Sequence, residues 1–593
     1  GMRTFFILIL LLLMIWPEKS HAQQVPVFER KISVEMENET IEAILTEISR
    51  QSQVSFSYNP ELLNASDKKS LSLTKQTVRF ALSNLFDGKV NYRERGKFII
   101  LQPKKENSPS VVEGYLTNEN GQLLSDATIY NADKKQVATT DQFGYFRLEI
   151  DKSKTPDTIK ISKAGFESAM LMPVNNNAPF VQLSLSENQT SLPAEETFYP
   201  SILVRRQLRV SSSNIDETFN RFAQLSIAPH LGTNSLLSGS TSNLLSINIL
   251  GGYTEEVRAL ELGGVVNIVR RNAGVFQAAG IGNFVGGNFR GCQASGVLNY
   301  TRRNFSGFQA SGISNTVAGN LTGVQATGIM NYAKNINGTQ LTGMINVAGD
   351  LYGFQASSIL NQAKTVQGAQ VTALVNNADS LKGAQITGVL NRARKIRGTQ
   401  ISGLLNYASE MNGLQLGVVN ITNRGRATQI GIININSSGV HNLEIYATET
   451  FLTNIAYRGG SKHFHTILVG GIDPGTLGDR LLYTYGFGVG TSFGNRPKLY
   501  YDAEVLSQQI TYGNVMGDIN MLYKLGFSVN YKVSKSMAIT FGLSHNIYVV
   551  DTSTPEFETI FSQIPPYFLS NESAGTNRNL KTWVGFKAGI RLF

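Results

Sequence analysis

The chain of 593 residues carries 56 glycines, 16% charged residues and a formal net charge of +10. That length exceeds one ordinary core and calls for several domains, while the Gly-rich, charge-poor composition excludes a helix bundle and a disordered chain. Lysines and arginines are scattered, with Arg205-Arg206 and Arg270-Arg271 the densest pairs and no aromatic residues interleaved, so a nucleic-acid groove is excluded and no nucleic-acid partner is expected.

Residues 1–22 read as a signal peptide: Gly1 as a residue added ahead of the initiator-like Met2, then Arg3, an apolar run from Phe5 to Trp16 and the small-x-Ala end Ser20-His21-Ala22. The run is too short for a transmembrane helix and no later segment is long and apolar enough, so membrane insertion is expected only through β-strands. Cys292 is the single cysteine and cannot form an internal disulfide. It stands where other repeats carry Phe276, Phe308 and Val324, and reads as a small buried apolar residue.

From Lys31 to Pro103 the pattern alternates strand and helix twice. Ile32, Val34 and Met36 alternate as a strand, and Thr40 caps a helix whose stripe is Ile41, Ile44, Leu45 and Ile48. Leu71 and Leu73 begin the second round, Thr77 caps a helix bearing Val78, Ala81, Leu82 and Leu85, and Val90–Tyr92 with Phe98–Leu101 closes as a hairpin. On "TIEAILTEISRQSQVSFSYN" and "QTVRFALSNLFDGKVNYRERGKFIILQP", residues 23–105 resemble the secretin/TonB short N-terminal domain, which implies a periplasmic module used for protein contacts and a periplasmic or inner-membrane protein partner. Residues 110–186, with "VVEGYLTNENGQLLSDATIYNADKKQVATTDQFGYFRLEI" and "DTIKISKAGFES", show turn signals at Asn120-Gly121 and Gly144 between short alternating strands, as in a small β-sandwich. They resemble the carboxypeptidase regulatory-like domain through Gly114, Gly121, Thr140-Asp141, Gly144, Phe146, Ser162, Gly165 and Phe166, although Leu123-Leu124 replace its usual proline. The order of the two modules resembles the front of a Bacteroidota outer-membrane receptor; the plug domain of such a receptor is not found. Residues 187–214, with Pro193 and Pro200, read as linker, and 215–260 as leading strands.

A repeat occupies 261–436. Aligned on glutamine it gives Gln277, Gln293, Gln309, Gln325, Gln340, Gln355, Gln370, Gln385, Gln400, Gln415 and Gln429, with asparagine six positions after each of the first nine; Glu261 with Asn267 is a degenerate first copy. A short fixed period means that units stack on one another rather than fold alone. Positions −1, +1, +3 and +5 from the glutamine are small or apolar, as in Val324, Ala326, Gly328 and Met330, so each copy offers a period-two strand with one apolar face. Two architectures fit: a β-solenoid, or strands of one large transmembrane β-barrel. The likeness of odd and even copies favours the solenoid, because a barrel meander alternates strand direction and repeats as hairpins. In stacked coils the amides of Gln309, Gln325, Gln340, Gln355, Gln370, Gln385 and Gln400, and of Asn315, Asn331, Asn346, Asn361, Asn376, Asn391 and Asn406, are expected to satisfy one another as structural ladders. The repeat is similar to surface-repeat proteins of spirochaetes and Bacteroidota.

Residues 440–593 read as an antiparallel barrel of about eight strands with its interior filled by side chains. Leu481 to Phe493, Met521 to Val533 and Met537 to Val549 alternate over lengths able to cross a bilayer, and the last strand, with Val584, Phe586, Ala588, Ile590 and Leu592 on one face, ends on an aromatic that resembles the assembly signal of outer-membrane barrels. His463 and His465 are weak metal candidates by spacing alone. No hydrolase, metalloprotease or phosphate-loop motif occurs, and no enzyme activity or cofactor is expected. The chain is thus expected to be mainly β: a small α+β domain, a β-sandwich, a repeat region and a barrel. The expected role is that of a non-enzymatic, exported envelope protein, anchored in outer-membrane lipid with its N-terminal domains in the periplasm. The rival readings are a TonB-linked transporter or signalling receptor with a large barrel, and a surface adhesin with a glycan or protein ligand.

Overall fold

The computed structural model describes residues 25–593 except 106–108, 134, 151–156, 175–179, 189–201, 474–480, 495, 497, 513–519, 554–559, 563, 565–566 and 574–576. The expected leader and residues 189–201 of the expected linker, including Pro193 and Pro200, lie outside the described residues. The chain divides into two compact units: one reaching to Asn220 and including His230–Ser242, the other Arg221–Pro229 with Asn243–Phe593.

In the first unit, strand Lys31–Thr40 pairs antiparallel with Lys68–Thr77. Each strand runs directly into a helix, Ile41–Ser52 and Val78–Phe86, because Thr40 and Thr77 turn their hydroxyls back to accept from the amides of Ala43 and Phe80, both at 3.2 Å. The apolar stripes of both helices, with Ile44, Ile48, Ala81 and Leu82 fully buried, form one core with Ile32, Val34 and Ile99. The following module is a sandwich of a four-stranded and a three-stranded sheet around Val112, Leu116, Ile129, Phe146, Ile159 and Ile161. Arg206–Asn214, inside the stretch expected as linker, is a helix. It has no apolar stripe to announce it; Leu208 is buried and Asn214 donates to Asp126 O at 2.6 Å and Thr128 Oγ1 at 2.9 Å, so the sandwich holds it.

The second unit begins with a twenty-stranded sheet that runs in chain order. Within this unit the strands that precede the repeat, from Arg221 onward, belong to the same sheet as the repeat. The repeat strands are parallel, and the register superposes equivalent residues of successive copies: Gln325 on Gln340, Gln340 on Gln355 and Gln355 on Gln370, with Asn331, Asn346, Asn361 and Asn376 likewise. Glu261 and Asn267 pair with Gln277 and Asn283. Parallel neighbours of equal register define a β-solenoid and rule out the meander of one large barrel. The glycine two residues before the glutamine, present from Gly291 to Gly413, is required by the stacking: Gly353, Gly368 and Gly383 have φ between 139° and 140°, and a Cβ on Gly368 would lie 1.9 Å from the carbonyl oxygen of Gly353.

The chain then forms eight antiparallel strands, from Val440–Thr448 to Met537–Asp551 and finally Arg578–Leu592, which closes onto the first where Leu443 pairs Leu592. Connections 461–464, 494–498 and 533–536 at one end are short. At the opposite end lie the 449–452 turn and the strand ends Asp473, Leu482, Tyr512, Asn520, Asp551 and Arg578, which longer stretches of sequence separate.

Candidate functional site: amide ladders, a filled lumen and an apolar exterior

Each solenoid coil has two kinds of interior. The alanine eight residues after the glutamine and the aliphatic residue eleven after it, such as Ala333 with Ile336 and Ala363 with Val366, stack into a continuous apolar core. Beside that core the glutamines and asparagines are 0% exposed from Gln309 to Gln400 and from Asn315 to Asn406. The face read as apolar from sequence points outward, and the amides point inward. Burying them is tolerable because every one is answered by its neighbours.

The two ladders run in opposite senses. Each glutamine donates from Nε2 to Oε1 of the preceding coil, as Gln340 to Gln325, Gln355 to Gln340, Gln370 to Gln355 and Gln385 to Gln370, all at 2.8 Å. Each asparagine donates forward, Asn331 to Asn346 at 3.1 Å, Asn346 to Asn361 at 2.9 Å, Asn361 to Asn376 and Asn376 to Asn391 at 3.0 Å, and Asn391 to Asn406 at 2.9 Å. The second asparagine hydrogen reaches the backbone of the next coil, as Asn361 to Val371 O at 2.7 Å. The glutamine ladder ends at Glu261, which accepts from Gln277 at 2.7 Å, and the asparagine ladder ends where Asn434 donates to Thr466 of the barrel. With donors and acceptors consumed internally, the ladder residues are closed to outside ligands. Cys292 is exposed and not buried, because the residue next to each inward glutamine faces out.

Inside the barrel, alternation turns a second set of side chains toward one another. Arg458 contacts Glu444 and reaches Glu504 at 2.6 Å; Arg591 reaches Asp502 at 2.5 Å and Glu444 at 3.2 Å; Lys587 reaches Glu504 at 3.1 Å. Three cations and three carboxylates, none with a side chain more than 15% exposed, fill this part of the lumen. The long-connection end is packed with Phe451, Leu482, Ile510, Leu522, Tyr548 and Trp583, together with Ile560, Phe561 and Ile564 from the 552–577 connection. Sequence reasoning missed this network. Its only signal is parity, each charge standing on the inward phase of its strand, and the partners lie far apart along the chain.

The outside of the barrel is the reverse. Tyr485, Phe487, Val505, Leu525, Phe527, Phe541, Leu543, Val584 and Phe586 are exposed, each between 41% and 64%. Phe493, Tyr501 and Phe527 cluster at the short-turn end with ring centroids 5.9 to 6.0 Å apart. The two candidate histidines are not brought together: His463 is exposed in the 461–464 connection, while His465, the first residue of its strand, is fully buried with Nε2 3.9 Å from Glu504. Among the described residues no group of three or more His, Cys, Asp or Glu is placed to hold a metal, and no helix is long and apolar enough to cross a membrane.

In the first unit the two modules are joined by a polar cluster. Glu29 accepts from Tyr115 at 2.6 Å and pairs with Arg79 at 3.0 Å, and the Arg79 guanidinium lies 3.7 Å from the Tyr145 ring centroid. Tyr92 and Tyr145 both donate to Glu113, at 2.6 and 2.7 Å, and burial, with that carboxylate alongside, pushes both phenols well above the usual range.

These features define a class by fold: a parallel β-solenoid continuous with a filled eight-stranded antiparallel barrel. In comparisons with family models, with curated proteins and with solved structures, the chain matches none.

Proposed function

We propose that this is a non-enzymatic envelope protein of a Bacteroidota-like bacterium, anchored in the outer membrane by its C-terminal barrel and carrying periplasmic protein-interaction modules. The observation that carries the reading is the inverted barrel: a charged, packed interior inside a broad apolar exterior, which in water would leave a large sticky surface and in lipid leaves none. The contrast between short connections at one end and longer ones at the other also suits an outer-membrane barrel, whose short turns face the periplasm. A lumen filled with ion pairs and apolar side chains favours an anchor over a transporter. The Glu29–Arg79–Tyr145 cluster makes the two N-terminal modules one recognition arm, for which a periplasmic or inner-membrane protein is the proposed partner.

Expression of the full chain, sucrose-gradient separation of the membranes and washing with alkaline carbonate or urea test this function. The anchored reading expects the protein in the dense outer-membrane fraction, resistant to the wash. Recovery as a soluble periplasmic protein overturns it.

A further inference from the structure

Each solenoid coil turns two corners, and they differ in chemistry. At one corner, four residues after the glutamine, stand Ile313, Ile329, Met344, Ile359, Leu374 and Leu404, each between 36% and 51% exposed. The row immediately after them is aliphatic as well, Met330, Ile345, Leu360 and Val375 superposing, and three positions before them, beyond small residues and hydroxyls such as Gly328 and Thr327, Ala326, Leu341, Ala356 and Val371 superpose. The opposite corner carries Asn335, Asp350, Thr365, Ser380, Lys395 and Glu410 in register. The solenoid is therefore amphipathic in cross-section, with one apolar and one polar edge along its length.

Two further observations identify what the apolar edge meets. The peptide groups of that corner are bonded from coil to coil: Leu360 N donates to Met344 O at 3.0 Å, Leu390 N to Leu374 O at 2.9 Å and Leu405 N to Val389 O at 2.8 Å. An edge whose backbone is satisfied without water can enter hydrocarbon, which an ordinary loop cannot. The row also runs onto the barrel wall. Ile432, its member in the last coil, shares an apolar cleft with Ile455, Tyr457, Leu468, Tyr485 and Phe487, which belong to the barrel's outward face. Tyr457 donates to Asn434 O at 3.0 Å, holding that last coil against the wall.

We infer that the apolar edge of the solenoid is a lipid-contacting keel, lying in the leaflet that surrounds the short-turn end of the barrel and extending the membrane contact along the stacked coils. At about 4.8 Å per coil, the repeat from Ile313 to Ile432 would draw this contact out to roughly 40 Å. The inference rests on the anchored reading of the barrel, and supplies a role for the repeat that the closed ladders do not.

The test uses the full chain in phosphatidylethanolamine/phosphatidylglycerol vesicles, on a Cys292→Ser background, with an environment-sensitive fluorophore on a single introduced cysteine and spin-labelled lipids as quenchers. Labels at Ile359→Cys and Leu374→Cys are expected to be blue-shifted and quenched by lipids labelled near the headgroup at least three-fold more than a label at Ser380→Cys on the polar edge. A label at Leu543→Cys, on the barrel exterior, reports the anchor separately. Quenching at position 543 with equal, weak quenching at 359 and 380 overturns the keel and spares the anchor; no quenching at 543 overturns the anchored reading and the keel with it. A label at 359 that is blue-shifted but not quenched by lipid indicates burial against a second copy of the chain, and also overturns the inference.

Discussion

Gln277 donates from Nε2 to Oε2 of Glu261 at 2.7 Å, and with that bond the backward-pointing glutamine ladder ends on a carboxyl oxygen. A column of aligned amides presents its N–H end at the first coil, so an acid there satisfies the last donor, and Asn248 and Ser246 donate to its other oxygen at 3.0 and 3.3 Å.

Burial pushes the Glu261 carboxyl from its ordinary 4.5 up to about 7, against the three donors that pull it down. The folded state therefore holds the proton more tightly than the unfolded chain. Its contribution is complete below about pH 4.5 and is lost as pH rises through about 7, on the order of 3 kcal/mol for this group alone. Glu261→Gln should flatten this dependence. Hydrogen exchange of the first coils, measured at pH 5 and pH 8 and corrected for intrinsic rates, should show protection falling with pH in the wild type and much less in the variant.

Gln370→Leu removes the acceptor of Gln385 and the donor to Gln355 at once. Two amide ends are left buried without partners, for a loss of about 2 to 5 kcal/mol. Exchange protection of the coils around positions 355–391 should fall by at least tenfold, while the barrel strands keep theirs. Replacing an outward neighbour, Ala369→Ser, should change little, since that side chain faces away from the ladder.

Gly368→Ala places a methyl 1.9 Å from the Gly353 carbonyl at a backbone φ of 139°. Left-handed strain and overpacking together should destabilise the stack by roughly 3 kcal/mol or more. Limited proteolysis should open a new cleavage site close to residue 368, with the barrel fragment still folded.

Arg458→Ala leaves Glu444 and Glu504 short of one buried cation. Breaking a buried network in this way should remove about 3 to 5 kcal/mol. The readout is the temperature at which the compact, heat-modifiable band of the barrel disappears on unboiled gels, expected to fall by several degrees for Arg458→Ala and not for an exterior change such as Leu543→Val.

Much of this architecture is legible in the sequence, for identifiable reasons. Thr40 and Thr77 sit one residue ahead of amphipathic stripes, and both helices form there. The repeat keeps glutamine in step over many copies, which only stacked, parallel coils can accommodate. The orientation of the coil was less legible: Val324, Ala326 and Met330 form the apolar face and yet face outward, because paired amide columns can be buried without loss while the Ala333 and Ile336 rows supply the apolar core. The Arg206–Asn214 helix depends on contacts that local pattern does not carry, through Asn214 and Leu208. The lumen network depends on closure of the barrel, which brings Glu444 to Arg591 across 147 residues of chain.

Topology labelling in cells tests the central claim most directly. On a Cys292→Ser background, a cysteine at Asn571, beside the long-connection end of the barrel, and one at Glu61, in the N-terminal domain, are exposed to a membrane-impermeant maleimide. The anchored account predicts labelling at position 571 in intact cells and at position 61 only after the outer membrane is permeabilised. Labelling of position 61 in intact cells, or protection of position 571 until the membrane is opened, would contradict it.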